Sequence, residues 1–325
     1  MQKDQRHLRQ AHADTVYEIV SSPNSSAQSF VAASWSRSLN THQLNPDEPA
    51  PAIRLDAASL KQRRERLSRV MHTAEPVLDR LYSALSLTGC AVVLCDQDGI
   101  IIDQRRSAAD TKAFENAELV IGADWSEVCQ GTNGIGTCIA EKRTIVVQEN
   151  QHFKTSNISM TCVGTPVFGV DGALSAVLDI SACNRDLDKA TAALIAQTAK
   201  DAAAQIEADH FADVYAHARI VRGTAPSLQG PVLLALDKDD LVIGATRSAR
   251  KLYKLEPTGS ITIQPAADIL NDGEQRGQGL PGAERRTLRR ALSRAGGNVS
   301  AAARDLGMSR ATFYRRATKL NIFDD

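Results

Sequence analysis

The stretch ERRTLRRALSRAGGNVSAAARDLGMSRATFYRRATKLNIF, residues 284–323, decides how this chain is read. Leu288, Ala291, Leu292 and Ala295 recur at i, i+3, i+4 and i+7, the spacing of one helical face, and Gly296-Gly297 stops that helix. Asn298 then stands where an N-cap belongs, its side chain able to satisfy the first free amides of a short helix over residues 299–306. Gly307 closes it, Met308 plugs the corner, and Ser309 can cap a third helix over residues 310–320. On that helix Phe313, Ala317 and Leu320 share a face turned to a core, while Arg310, Thr312, Arg315, Arg316 and Lys319 project elsewhere. Two capped helices and a tight turn of this length predict a helix-turn-helix whose last helix enters a major groove by its N-terminal end.

Charge supports that reading. Ten basic residues lie between Arg285 and Lys319 against one acid, Asp305, although the whole chain balances at 38 basic and 38 acidic residues. Such local asymmetry is the footprint of phosphate binding. A solvated basic bundle would explain the charge, but not the caps and the turn that accompany it.

The segment GNVSAAARDLGMSRATFYRRATKLNI resembles the helix-turn-helix of the Fis family, which closes many bacterial response regulators and enhancer-binding activators. The resemblance rests on Gly297-Asn298, on Ala301-Ala302-Ala303 before Leu306-Gly307, on Ser309-Arg310 with Thr312, and on Arg315-Arg316. It implies double-stranded DNA as partner, with Arg310, Thr312 and Arg315 facing it and Asn298, Ser300 and Ser309 near phosphates. Arg316 and Lys319 complete the expected DNA-binding set. Arg310 is the candidate for a base edge, because a guanidinium bonds guanine O6 and N7 bidentately. Phe313-Tyr314 departs from the family pattern, which more often has an aliphatic residue followed by a basic or aromatic one.

A length of 325 residues leaves room for two or three domains, and 43% apolar with 23% charged residues is the composition of an ordinary globular protein. The opening MQKDQRHLRQ has no apolar core of a leader, and no apolar run approaches the roughly 18 residues a membrane span needs, so a cytoplasmic address with no membrane partner is expected. In that compartment the six cysteines, Cys90, Cys95, Cys129, Cys138, Cys162 and Cys183, are expected as reduced thiols. Their spacing lacks the paired ligands of a zinc site, so no metal is expected. Small buried thiols are the default; redox or metal sensing is the alternative, with Cys129 and Cys138 favoured.

An α+β fold is expected. Residues 1–79 read as a helical region broken by NPDEPAP, with an amphipathic helix over 56–85 whose basic start is read as a solvated face. Its FVAASWSRSLNTHQLNP resembles the lead-in of regulators of the acetoin-catabolism activator group. CAVVLCDQDGIIIDQ then reads as a hairpin, strands follow at 144–148, 161–168 and 173–180, and residues 187–215 are alanine-rich and helical. Helix, antiparallel strands, helix is the order of a small sensory domain, placed at 80–215. Within it GTNGIGTCIAEKRTIVVQENQHF resembles the GAF domain of the same group, with Trp125 and Glu127 fitting the lead-in. The resemblance makes Trp125, Cys129, Thr132, Asn133, Cys138 and Phe153 the candidate ligand-binding residues for a small effector. The three glycines of Gly131 to Gly136 either fix a tight backbone path or help line a cavity. They are no Walker A loop, since the chain contains no Gly-Lys dipeptide. His152 is expected as a packed or capping residue.

Residues 226–270 repeat the logic of strand, turn, strand and helix and resemble a partial PAS-like unit, with ITIQ as one more strand. NDGEQRGQGLPGA, residues 271–283, is expected as a flexible linker before the Fis-type domain at 284–325. In the resembled activators an AAA+ ATPase stands between these last two parts, and here it is missing. The whole therefore reads as a transcriptional regulator without ATPase activity, in which a GAF sensor and a helix-turn-helix work as a homodimer on a palindromic site and act by recruitment of RNA polymerase, occlusion or partnership. No catalytic residue and no cofactor is identified. The alternatives are a GAF-type thiol or redox sensor, a methionine sulfoxide reductase-like enzyme, and an architectural nucleoid protein.

Overall fold

The computed structural model describes residues 2–22, 29–48, 53–183, 187–270 and 279–323. Two units emerge, residues 1–264 and 265–325, each with its own core.

The first unit opens with α1 (Gln2–Ser21) and α2 (Phe30–Ser36), the latter tightening into a π-helical turn at Arg37–Thr41. The single helix expected over 56–85 is two, α3 (Ala57–Arg66) and α4 (Ser68–Leu85), because Leu67 leaves the helical region at φ −100°, ψ 12°. Its basic start is not merely solvated. Arg63 Nη1 reaches Asp98 at 2.7 Å and Asp96 at 2.5 Å, clasping the turn of the hairpin that follows.

That hairpin is β1 (Cys90–Asp96) with β2 (Ile101–Arg105), antiparallel as the Asp-Gln-Asp-Gly turn predicts. Gly99 sits at φ +94°, where its backbone approaches Ser126 too closely for a side chain. Short helices α5 (Thr111–Asn116), α6 (Glu127–Gln130) and α7 (Gly134–Glu141) come next. Then β3 (Ile145–Gln148), β4 (Thr161–Phe168) and β5 (Leu174–Ala182) complete an antiparallel sheet of order β2-β1-β5-β4-β3. Successive side chains of a strand point to opposite faces. Val92 and Leu94 therefore pack with α4 and with α8 (Lys189–Val214), while Ala91, Val93 and Cys95 join Trp125, Ile135 and Cys138 on the other face. With both faces covered, β1 is buried at every residue.

A second, smaller antiparallel sheet holds β6 (Arg219–Arg222), β7 (Leu233–Leu236) and β8 (Leu241–Ala245), followed by α9 (Arg247–Leu252). The sequence reading missed β6, whose Arg219-Ile220-Val221-Arg222 is only four residues long and does not alternate, its burial running exposed, half-buried, half-buried, exposed. The strand expected at ITIQ shrinks to β9 (Gln264–Pro265), which leads into α10 (Ala266–Leu270). Of the expected linker, residues 271–278 lie outside the described residues, and from Gly279 the chain is already helical. Among the described residues no helix is long and apolar enough to cross a membrane.

One buried acid couples this fold to pH. Glu207 of α8 is 8% exposed and accepts the Phe168 amide at 2.9 Å. Burial pushes its carboxyl up to about 8 from an ordinary 4.5. Between those values the folded chain holds a proton that the unfolded chain releases, so stability falls as pH rises. Glu207→Gln removes the titration and keeps an acceptor. The variant should exceed the wild type in stability by on the order of 3 kcal/mol at pH 8 and by much less at pH 5. Urea unfolding at both values checks this; parallel curves would mean that Glu207 is ionised in the folded state.

Candidate nucleic-acid interface

The second unit contains α11 (Gly279–Arg294), α12 (Val299–Asp305) and α13 (Arg310–Lys319). Gly296 and Gly297, at φ +58° and +84°, reverse the chain after α11 in a conformation that most residues avoid. The two expected caps form. Asn298 accepts the Ala301 amide at 3.1 Å, and Ser309 accepts the Thr312 amide at 3.1 Å while its hydroxyl lies 2.8 Å from that of Thr312. Leu288, Ala291, Ala302, Ala303, Phe313, Ala317 and Ile322 make the core, so the predicted inward face of α13 is the observed one.

On the other side of α13, Arg310, Arg315 and Lys319 are exposed and have no ion-pair partner among the described residues. Arg316 is exposed too, but its Nη1 lies 3.1 Å from Glu284 of α11, which fastens the third helix to the first. Of the eight expected DNA-binding residues, then, three are free cations, one is paired, and the side chains of Asn298 and Ser309 cap helices. Thr312 and Ser300 are half-buried. Tyr314, at the unusual position, stacks on Phe323 with ring centroids 5.1 Å apart.

The six expected effector residues are also close in space, but they belong to the packed interior. Asn133 caps α7: its Oδ1 accepts the Ile135 and Gly136 amides, both at 2.8 Å, and its Nδ2 donates to the Trp125 and Gly131 carbonyls. Trp125 donates to the Glu118 carbonyl, and Thr132 meets Ser34 of α2 at 2.6 Å. Phe153 packs with Val16 and Trp35, and Cys138 lies in the core beneath the sheet. Cys129 alone of the six is half-buried; its thiol donates to Asp124 at 3.2 Å.

Burial pushes the thiols of Cys95, Cys138 and Cys162 well up and that of Cys183 to about 12, so these cysteines carry a proton at neutral pH. A protonated buried thiol is a poor nucleophile and a poor metal ligand. His152, buried and drawn down to about 4, contacts the Glu149 carbonyl and Cys162 as a packed histidine. Among the described residues no cluster of acids, cysteines and histidines is arranged to hold a metal.

The N-terminal segment does more than lead in. Arg37 pairs with Glu127 at 2.7 Å and Glu141 at 3.1 Å, tying α6 to α7, and Trp35 donates to the Gln151 carbonyl. Ser-Trp-Ser-Arg marked the place in the sequence, but its partners lie about a hundred residues away and no local pattern announces them.

Residues 280–320 match the family described as Bacterial regulatory protein, Fis family. Residues 7–208, more than half of the chain, match MimR, N-terminal domain. The chain belongs to the MimR N-terminal domain family. Its relatives include the Acetoin catabolism regulatory protein of Cupriavidus necator, 30% identical over 245 residues, which are 74% of this chain and 36% of that protein. The Propane 2-monooxygenase operon transcriptional activator MimR of Mycolicibacterium smegmatis is 32% identical over 184 residues, 55% of this chain and 29% of that protein. The chain thus spans about a third of the length of these relatives, which are named as regulators of transcription and not as enzymes. Among solved structures, the Escherichia coli DhaR(N)–DhaL complex shares the fold, with a TM-score of 0.52, 14% identity, and coverage of 74% of this chain and 80% of that one. The first unit is accordingly GAF-like, and the C-terminal unit is a Fis-type helix-turn-helix.

Proposed function

We propose that this protein is a transcriptional regulator in which α13 reads DNA, two copies bind a two-fold site, and the GAF-like unit responds to a small effector. The observation that carries the reading is the two-sided α13: Phe313 and Ala317 are locked into a core, while Arg310, Arg315 and Lys319 face outward without partners among the described residues. A single module grips little DNA surface, and a dimer doubles it. For the effector, the proposed residues remain Trp125, Cys129, Thr132, Asn133, Cys138 and Phe153, of which Cys129 is the half-buried one. Nearby stands Lys154, whose buried ammonium has no hydrogen-bond partner and acts on the charge of Cys129.

Arg310→Ala should cost about 1–3 kcal/mol in specific binding and relax preference at one base pair, whereas Lys319→Ala should weaken all duplexes alike. Fluorescence anisotropy on the target site and on random duplex separates the two. Equal losses on both duplexes for Arg310→Ala would remove it from base readout.

Regulation here is proposed to run without ATP, because the chain holds no Gly-Lys dipeptide for a phosphate-binding loop. The purified chain should release no phosphate from ATP. Turnover above a heat-inactivated control would contradict that.

A further inference from the structure

A cleft of about 560 Å³ lies within the first unit, between the end of β4, the middle of α8, residues 227–230 and α9. That volume suits a small metabolite, and sites of this kind favour the seam between two substructures. The cations around it are not balanced. Lys142, Arg143, Lys200, Arg247 and Lys251 border the cleft against two acids, Asp201 and Glu207. Lys142, Lys200 and Lys251 have no ion-pair or hydrogen-bond partner among the described residues. Arg143 has Glu141 only at 3.8 Å, and Arg247 donates to the Gly172 carbonyl and lies 4.1 Å over the Phe168 ring. Asp201 accepts from Gln197, and Glu207, nearly buried, is protonated at neutral pH and adds no negative charge.

The wall offers more than charge. Phe168 and Pro166 supply apolar surface beside the cations. Converging like charges repel, and a protein that holds several around one concave space is arranged for an anion that relieves the repulsion. Two or more unpaired ammonium groups bordering one cleft from different helices and loops fit a ligand with two negative charges better than one with a single charge.

We propose that this cleft binds a small organic dianion, a dicarboxylate or a phosphate ester, whose charged groups meet Lys142, Lys200 and Lys251 and whose carbon chain lies on Phe168 and Pro166. Lys200 belongs to α8 of the GAF-like sheet and Lys251 to α9 of the second sheet, so the ligand bridges the two. The proposal goes beyond the regulatory reading, since it concerns binding whether or not transcription responds.

The test is isothermal titration calorimetry of the full chain at low ionic strength with succinate, with glycerol 3-phosphate and with uncharged glycerol. Saturable binding of one or both dianions and none of glycerol is expected, and which dianion binds identifies the class. Lys200→Ala combined with Lys251→Ala, two residues outside the core, should weaken that binding at least about tenfold while leaving the thermal melt of the free protein unchanged. Binding of neither dianion at millimolar concentration, or equal binding by wild type and double variant, would overturn the site. Because calorimetry does not read transcription, failure here is distinct from failure of DNA recognition, which the anisotropy measurement reports.

Discussion

Gly164→Ala is expected to prevent the GAF-like unit from reaching its native packing. A methyl group built at Gly164 in β4 would stand 2.0 Å from the carbonyl oxygen of Gly134 and 2.6 Å from its carbon. Both are backbone atoms at the start of α7, and no rotamer change relieves them. The neighbouring glycines leave no slack either: a side chain at Gly134 would meet Asp179 and Cys162 at 2.7 Å, and one at Gly136 would meet the Glu127 amide at 2.3 Å. Lifting α7 off β4 would separate Ile135 and Cys138 from the core they share with Val93 and Val177. The cost should exceed about 4 kcal/mol, the range reached when overpacking and lost burial combine. The first unit's thermal transition should be lost or fall by more than ten degrees, as about 2–4 °C per kcal/mol implies for a unit of this size. A variant melting within two or three degrees of wild type would show that α7 does not lie on β4 as described.

That close approach also decides between the two roles the sequence left open for GTNGIG. Gly131 is at φ +66° against the Phe153 ring, and Gly134 and Gly136 let α7 touch strand and helix. The glycines set geometry. Local chemistry was legible wherever a residue acts on its own neighbours: Asn298 and Ser309 as caps, Gly297 and Gly307 as turns, the hairpin at Asp96 to Gly99, and the face of α13 that carries Phe313. What escaped reading depends on partners distant in sequence. Leu67 looks helical in isolation and breaks the helix, the pairing of Arg316 with Glu284 spans thirty-two positions, and Arg63, taken for a solvated residue, closes on Asp96 and Asp98. The same holds for contacts of the effector candidates: Thr132 meets Ser34 of α2 and Phe153 packs with Val16 of α1 and Trp35 of α2, partners about a hundred residues or more away that no spacing rule reports.

Phe313→Ala should abolish DNA binding on every sequence, by unfolding the second unit rather than by losing a contact. The ring is fully buried, and four of its six companions in that core are alanines, Ala291, Ala302, Ala303 and Ala317. The ring is the largest fully buried side chain of this core, and Leu292, Val299, Leu306, Met308 and Leu320 close around it only as partly buried neighbours. Replacing a buried Phe by Ala costs about 3–5 kcal/mol. A helical unit of this size has little more than that to lose. The contrast with Arg310→Ala is diagnostic, because that exposed arginine can be removed with the helices intact and only preference relaxed. Phe313→Leu, which keeps most of the volume, should restore binding in large part. Calorimetric melting of the full chain should show the first unit's transition unchanged in Phe313→Ala, since its cores contain no residue of the second unit. If Phe313→Ala bound the target duplex with wild-type affinity, α13 would not be held by this core, and the outward orientation of Arg310, Arg315 and Lys319 that follows from it would fall as well.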